Sequence, residues 1–229
     1  MPLRIETLAD ADAVARRGAS EIAHAVRDAV AARGRFAFAV SGGRTPWAML
    51  AALAREAVPW ERVHLFQVDE RVAPEGHADR NWTEIGRVLL DAVPLAERAH
   101  AMPVDDADLV AAASRYVQRL ELVCGRPAVL DLVHLGLGAD GHTASLVPGD
   151  PVLDVADADV ACTLPYQGRR RMTLTFPALA RARRVLWIVT GAEKRESLAK
   201  LLRGGASIPA TRVACGAQLV LADLAAAGA

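Results

Sequence analysis

The sequence predicts an α/β protein built on an open, doubly wound, mostly parallel sheet with helices on both faces. Segments of helical periodicity alternate along the chain with short β-rich runs, and those runs are apolar throughout, as strands buried on both faces are. The 229 residues are 52% hydrophobic and 24% charged, which suits one large folded domain. We therefore expect a single domain over residues 1–229 of the Rossmann-like class, with a small β-containing subdomain at about 148–176.

The first half of the chain begins with an Ala-rich segment, 10–33, that predicts a helix ending at Gly34. An apolar strand at 36–40 follows and stops at a Ser-Gly-Gly turn. The next helix begins at about Thr45 and carries Pro46 in its first turn, where proline is tolerated. Beyond it the pattern predicts, in order, a strand at 63–68, a polar loop at 69–79, a helix at about 80–91, a short strand near 100–104 and a helix at about 106–123.

The second half opens with an apolar, β-rich strand at 129–137 that ends in a second glycine cluster. Two further runs, 158–164 and 171–176, are expected to pair as antiparallel strands. The remaining predictions are a buried strand at 185–190, a helix from Gly191 to about Leu202, and a short strand in the tail that follows Pro209. Ligands of open parallel sheets bind beyond the carboxyl ends of the strands, so polar residues just after each strand are the candidates for a site.

Composition excludes several classes of protein. The 27 basic and 27 acidic residues give a net charge of zero, which argues against a partner that is nucleic acid or an anionic membrane. Cys124, Cys162 and Cys215 form no C-x-x-C pair, which argues against a disulfide framework or a structural zinc site. The first residues carry no apolar run typical of a signal peptide, and no stretch approaches the ~18 apolar residues of a membrane span. We therefore expect a cytoplasmic protein.

The Ser41-Gly42-Gly43-Arg44-Thr45-Pro46 segment lies directly between a strand and a helix. Glycines allow close approach of a ligand to the backbone, free N–H groups at a helix start attract an anion, and two hydroxyls add donors. The segment therefore suits a phosphate. It lacks the spacing and the lysine of a Walker A loop, and it is not a full nucleophile elbow because Ala39 stands where glycine is required. The alternative is a tight turn with a capping hydroxyl.

Charged residues follow two other predicted strands. In Asp69-Glu70-Arg71, the guanidinium of Arg71 could bind a phosphate or a carboxylate, and Asp69 could hold a catalytic group or a sugar hydroxyl. The alternative is a solvated loop with a local ion pair. In Gly191-Ala192-Glu193-Lys194, the cation of Lys194 opposes the helix dipole unless an anion binds there. The alternative is a solvated surface lysine.

The segment 136–145 satisfies G-x-G-x-x-G, but we reject a dinucleotide site. Pro148 and Gly149 break any helix soon after the loop, and no later strand ends in an acid at the required distance. The more informative pair is Asp140 and His142, because histidine is the natural base near neutral pH and a nearby carboxylate can orient it. The alternative is a histidine that caps a loop.

Other polar residues give weaker signals. His77 lies in the long polar loop and could touch a ligand, whereas the remaining histidines fall inside regular segments and are expected to be packed or exposed: His24, His64, His100 and His134. No pair of His or Cys residues has metal-ligand spacing, so we expect no metal. Within the basic run 169–171, one arginine could reach a phosphate.

In their order and over most of the chain, these motifs resemble those of the 6-phosphogluconolactonase family. The match comprises Ser41-Gly42-Gly43-x-Thr45-Pro46, Asp69-Glu70-Arg71, Gly138-x-Asp140-Gly141-His142-Thr143-Ala144-Ser145, Arg171-Met172-Thr173-Leu174-Thr175 and Gly191-Ala192-Glu193-Lys194. The resemblance implies hydrolysis of 6-phospho-D-glucono-1,5-lactone, the second step of the oxidative pentose phosphate pathway, without a metal or organic cofactor. It also implies a small-molecule sugar-phosphate lactone as substrate, and we expect a monomer or homodimer.

Under this resemblance His142 is expected to be the general base, with Asp140 orienting it and Asp69 positioning the substrate or the base. The 6-phosphate is expected to bind at the turn and three cations: Ser41, Gly42, Gly43, Thr45, Arg71, Arg171 and Lys194. Three alternatives remain. A glucosamine-6-phosphate deaminase or isomerase would carry a glutamate shortly after Asp-Gly-His and a tyrosine in place of Arg71. The others are a non-catalytic sugar-phosphate sensor and a serine hydrolase using Ser41.

Overall fold

A parallel sheet in the order β1-β10-β9-β6-β2-β3-β5 forms the centre of the protein in the computed structural model, which describes residues 3–228. The strands are β1 (Arg4–Leu8), β2 (Phe36–Val40), β3 (Val63–Gln67), β4 (Asp69–Arg71), β5 (Ala99–His100), β6 (Leu132–Gly136), β7 (Val160–Cys162), β8 (Arg171–Leu174), β9 (Val185–Val189) and β10 (Gln218–Asp223). The α-helices are α1 (Ala11–Arg33), α2 (Arg44–Leu53), α3 (Asn81–Ile85), α4 (Leu109–Cys124), α5 (Phe176–Ala180), α6 (Arg195–Arg203) and α7 (Leu224–Ala227).

Helices cover both faces of this sheet, as the apolar strands predict. Successive residues of each strand point to opposite faces, so β2 contributes Phe36 and Phe38 to one hydrophobic core and Ala37 and Ala39 to the other. Buried residues of α1, α2 and α3 complete the first core, and those of α4, α5, α6 and α7 complete the second. Within residues 3–228, no helix is both long enough and apolar enough to cross a lipid bilayer.

The strand order reverses between β2 and β6. From β2 the chain proceeds outward through β3 to β5, and it then returns to β6 on the other side of β2 before it continues to β9 and β10. Loops that leave neighbouring strands in opposite directions open a crevice at the carboxyl ends of those strands. The fold therefore places the loops after β2 and β6 beside a natural ligand site.

A small antiparallel sheet, β4-β8-β7, lies beside the carboxyl ends of the main sheet. The chain passes from β3 into β4 with only Val68 between them, and the backbone of Val68 bonds both to Val40 and to Leu174. Asp69 pairs with Thr173 and Arg71 pairs with Arg171. The small sheet thus fixes polar residues of two distant segments at one rim of the crevice.

Most predicted elements are present, with three instructive differences. Residues 69–71 form β4 instead of part of a polar loop, because their partner strand lies a hundred residues away and local sequence does not reveal it. The α-helical part of the segment at 80–91 ends at Ile85 and continues as a π-helical turn, Gly86–Leu90. Strand β1 was not predicted, because its largely exposed edge position gives it no apolar run.

Candidate active site

A cavity of about 600 Å³ opens at the carboxyl ends of β2, β6 and β9, where the strand order reverses. The loops after these strands and the small sheet form its walls. The residues predicted as site residues that line this crevice are Ser41, Gly42, Gly43, Thr45, Asp69, Arg71, His142, Arg171 and Lys194. Asp140 is the exception: it does not line the crevice but contacts His142, which does. The structure therefore brings the four predicted polar clusters together at one place.

His142 and Asp140 form a hydrogen-bonded pair in the loop after β6. Nδ1 of His142 lies 2.6 Å from Oδ1 of Asp140, and the same oxygen accepts the backbone N–H of His142 at 3.2 Å. With Nδ1–H donated to the carboxylate, Nε2 is left with a free lone pair. The imidazole can therefore accept a proton from a group in the crevice.

Gly138 allows this loop to fold back on the imidazole. A Cβ atom at position 138 would lie 2.2 Å from Nδ1 of His142 and 2.5 Å from Oδ1 of Asp140. The backbone N–H of Gly138 also donates to the carbonyl of His142 at 2.8 Å. The second glycine cluster thus serves to place the pair.

The charge of Asp140 is stabilised by its partners. Desolvation raises the pKa of Asp140, but the backbone N–H and the ring of His142 and the hydroxyl of Tyr166 outweigh it and lower the pKa below its usual value. The Tyr166 hydroxyl donates to Oδ2 of Asp140 at 3.2 Å. The carboxylate is therefore ionised at neutral pH and can stabilise an imidazolium.

Asp69 also lines the crevice and is held by a buried serine. The hydroxyl of Ser145 donates to Oδ2 of Asp69 at 2.6 Å, and the backbone N–H of Ser145 donates to the hydroxyl of Thr173 at 3.2 Å. Ser145 and Thr173 are both fully buried, whereas Asp69 lines the crevice. This network fixes the carboxylate of Asp69, which can accept hydrogen bonds from a polyol.

Arg71 and Arg171 are paired across β4 and β8, so two guanidinium groups face the crevice side by side. Arg71 donates to Oδ1 of Asn81 at 3.0 Å, and Arg171 donates to Oε1 of Gln167 at 3.2 Å. The Nε–H group of each arginine is buried without a hydrogen-bond partner.

Burial lowers the pKa of Arg171, the carboxylate of Asp69 opposes this effect, and the charge of Arg71 adds to it. Adjacent like charges with unused donors are costly unless an anion binds between them. The pair is therefore suited to an anion.

Glu70 has a structural position instead of a place in the crevice. Its carboxylate is fully buried and accepts 2.8 Å hydrogen bonds from the side chain of Gln67 and from three backbone N–H groups, those of Arg71, Asn81 and Trp82. Two of these N–H groups belong to Asn81 and Trp82, the first two residues of α3. The middle acid of the predicted cluster thus anchors α3 beside the crevice.

The glycine turn after β2 packs against Asn81. A Cβ atom at Gly42 would lie 2.0 Å from Oδ1 of Asn81, so any other residue there would displace the Asn81 side chain. Gly43 has a φ of +133° and precedes the free N–H groups at the start of α2. The turn therefore presents backbone donors, and its first glycine serves packing as much as ligand approach.

Ser41 is bonded within the sheet. Its hydroxyl donates to the carbonyl of His134 at 3.2 Å, and its backbone N–H donates to Nδ1 of the same histidine. Burial lowers the pKa of His134 to about 3, so this ring is neutral. Among residues 3–228 this carbonyl is the hydrogen-bond partner of the Ser41 hydroxyl, and a carbonyl cannot activate a hydroxyl as a nucleophile, so these contacts do not support the serine hydrolase alternative.

The loop after β9 closes the crevice beside α2. Thr190 shares a 2.8 Å hydrogen bond with Thr45, and the backbone N–H of Gly191 donates to both oxygens of Asp223 at 3.1 Å. Lys194 follows in a 3₁₀ turn directly before α6 and forms no ion pair within the described residues, 3–228. Its ammonium group therefore adds a free positive charge to the same crevice.

Several residues of this site were not singled out from the sequence. Asn81 and Thr190 line the crevice, while Ser145 and Tyr166 support it from behind. Thr190 directly follows a buried strand and could have been found by that rule, whereas Tyr166 reaches the site only through tertiary folding. Between residues 3 and 228, no group of three or more His, Cys, Asp or Glu side chains could hold a metal ion.

Comparisons with known proteins show the family and the fold. Residues 9–221 match the family described as Glucosamine-6-phosphate isomerases/6-phosphogluconolactonase. A 6-phosphogluconolactonase of Synechocystis is 39% identical over 77% of this chain and 75% of its own length. One of Mycobacterium tuberculosis is 37% identical over 92% and 91%. The crystal structure of 6-phosphogluconolactonase from Thermotoga maritima superposes with a TM-score of 0.86 at 27% identity, covering 96% of this chain and 99% of that one.

Proposed function

The chain belongs to the family of glucosamine-6-phosphate isomerases and 6-phosphogluconolactonases, and we infer that it hydrolyses 6-phosphogluconolactone to 6-phosphogluconate in the pentose phosphate pathway. Curated relatives that cover most of the chain carry the lactonase name. The observation that carries this assignment within the structure is the shared crevice, which is lined by an oriented imidazole and two arginines. Such a site combines a general base with binding groups for a phosphate.

We propose that His142 is the general base. A lactone is an activated ester, so its C1 carbonyl needs only a nucleophile and stabilisation of the developing charge. Nε2 of His142 takes a proton from a water molecule as the water oxygen attacks C1, and Asp140 stabilises the imidazolium that forms. The hydrogen bond of 2.6 Å between these side chains supports this division of roles.

The tetrahedral intermediate then collapses with cleavage of the bond between C1 and the ring oxygen. The imidazolium returns its proton to that leaving oxygen, which becomes the 5-hydroxyl, and the new carboxylic acid ionises. Negative charge on the carbonyl oxygen requires nearby donors, for which loop N–H groups or a crevice arginine are available. We assign Asp69 to a hydroxyl of the substrate, because Ser145 holds this carboxylate in place at the wall of the crevice.

The 6-phosphate is proposed to lie between the glycine turn and the cations. The start of α2 offers free N–H groups after Ser41, Gly42 and Gly43. Arg71 and Arg171 supply paired guanidinium groups on one side. Lys194 supplies its ammonium group from the loop after β9, which the hydrogen bond between Thr190 and Thr45 links to α2.

The deaminase alternative finds less support in the residues. Ring opening in the deaminases relies on a glutamate shortly after Asp-Gly-His, whereas residues 143–147 contain no acid. Arg71 occupies the position at which a deaminase typically carries a tyrosine. Release of ammonia from glucosamine 6-phosphate would support the alternative, and we expect none.

We also propose that the enzyme acts in the cytoplasm as a monomer or homodimer, without a nucleic-acid partner. The net charge of zero supports the absence of a polyanionic partner.

Proton release on mixing with freshly prepared 6-phosphogluconolactone tests the assignment. Each turnover yields one ionised carboxylic acid, so release must exceed spontaneous hydrolysis and scale with enzyme concentration. Binding of 6-phosphogluconate without catalysed release would instead identify a sugar-phosphate sensor and refute the assignment.

A further inference from the structure

The hairpin between β7 and β8 ends beside the crevice in a tight turn. The backbone of Tyr166 bonds to that of Arg169 at both ends of the turn. Gln167 and Gly168 between them have φ values of +51° and +79°, as expected for a two-residue turn of type I′. This turn holds the Tyr166 side chain against the loop that carries His142.

Tyr166 contacts both the Asp140–His142 pair and the guanidinium of Arg171. Its hydroxyl donates to Oδ2 of Asp140 at 3.2 Å, and its ring meets that of His142 edge to face with centroids 5.6 Å apart. The guanidinium carbon of Arg171 lies 4.9 Å from the centre of the same ring. One side chain thus touches the proposed base, the acid that orients it and an anion-binding cation.

We propose that Tyr166 is a positioning residue that fixes the Asp140–His142 pair through its hydroxyl and orients Arg171 through its ring. The proposal rests on the lactonase function. It assigns two separable effects to one side chain: the hydroxyl governs turnover, and the ring governs binding of the phosphorylated substrate.

The hydroxyl acts because Asp140 has two oxygens with different partners. Oδ1 accepts both hydrogen bonds from His142, and Oδ2 accepts the hydrogen bond from Tyr166. Without the hydroxyl, Oδ2 has no protein donor among the described residues, and the carboxylate can rotate away from the geometry that aligns the imidazole. Loss of that alignment slows proton transfer but leaves the phosphate contacts in place.

The ring acts on the buried guanidinium of Arg171. Among residues 3–228, Gln167 is the only side chain that accepts a hydrogen bond from the Arg171 guanidinium, and the Nε–H of Arg171 has no hydrogen-bond partner. Stacking on the tyrosine face fixes the plane of the guanidinium and attracts its charge. Phenylalanine at position 166 keeps this face, whereas leucine removes it.

Tyr166→Phe and Tyr166→Leu separate the two effects. Tyr166→Phe should lower kcat about three- to tenfold, the rate equivalent of one hydrogen bond, with an unchanged KM. Tyr166→Leu should lower kcat similarly and also raise KM for 6-phosphogluconolactone several-fold. Leu164→Ala changes an exposed side chain of the same hairpin and serves as the control, with both constants unchanged.

Proton NMR provides a readout that does not depend on turnover. The Nδ1–H of a histidine bonded to a carboxylate gives a low-field resonance, which is assigned to His142 by its loss in His142→Ala. This resonance should move or broaden in Tyr166→Phe but not in Leu164→Ala.

The possible results separate the two proposals. A parent enzyme that fails to hydrolyse the lactone refutes the proposed function. A parent enzyme that is active, together with a Tyr166→Phe variant of unchanged kcat and resonance, overturns the role of the hydroxyl. Equal KM values for the Phe and Leu variants overturn the role of the ring. Matching thermal unfolding of the parent and the Phe variant confirms that the kinetic change does not come from misfolding.

Discussion

Substitution of Gly138 by alanine should disable the base while leaving the phosphate site intact. The new Cβ would lie 2.2 Å from Nδ1 of His142, more than 1 Å inside the ~3.5 Å at which carbon and nitrogen atoms pack comfortably. The imidazole must therefore move by about 1 Å or more, which stretches its 2.6 Å bond to Asp140 beyond hydrogen-bonding distance. A misplacement of this size costs about 10²-fold in rate. We expect kcat to fall by about that factor.

Steady-state proton release gives kcat and KM for Gly138→Ala, and calorimetric titration with 6-phosphogluconate reports on ligand binding. Binding should stay near the parent value because the arginines and the glycine turn are untouched. Gly86→Ala is the control, since a Cβ there meets nothing within 4 Å and its backbone is helical. A Gly138→Ala enzyme with normal kcat would refute the claim that catalysis depends on the geometry of the His142–Asp140 pair.

Arg71→Leu and Arg171→Leu should each raise KM for the phosphorylated lactone about 10- to 100-fold. Parallel kinetics with unphosphorylated gluconolactone should show no such change in KM. Equal effects on both substrates would contradict phosphate binding by these arginines. Glu70→Gln should lower the free energy of unfolding, measured by urea denaturation, by more than about 2 kcal/mol. The reason is that an amide group replaces a carboxylate that accepts hydrogen bonds from buried N–H groups. A variant as stable as the parent would contradict the role of Glu70 in anchoring α3. The pKa of His134 lies near 3 when folded and near 6.5 when unfolded, so the unfolded chain binds more protons between these values. Stability should therefore fall on acidification through this window by up to about 1.4 kcal/mol per pH unit, and a His134→Asn variant that shows the same slope would contradict this source.

The fold could be predicted largely because its strands are buried on both faces. Apolar runs such as 36–40 and 185–189 are readable without tertiary information, and a glycine or hydroxyl residue ends each of them. Strand β4 could not be predicted, since three charged residues form a strand only when β8 is beside them. Strand β1 could not be predicted either, because its residues are largely exposed and form no apolar run.

The sequence predicted which loops form the site, but it did not predict the side-chain contacts between them. The rule that ligands bind beyond strand ends selected His142, Arg71 and Lys194, and the switch in strand order explains why their loops meet. The support of Asp69 by Ser145 could not be read from the sequence, because 76 positions separate the two residues. The role of Gly42 in admitting Asn81 was likewise hidden, since a glycine at a turn indicates close approach without naming the neighbour.

In the proposed mechanism, an oriented imidazole in an anion-binding crevice drives lactone hydrolysis. The most direct test is proton release from fresh 6-phosphogluconolactone by the parent enzyme, by His142→Ala and by His24→Ala, a control at an exposed position on α1. We predict that His142→Ala loses about 10²- to 10⁴-fold in kcat at nearly constant KM, while His24→Ala matches the parent. Turnover by His142→Ala at the parent rate would contradict the claim.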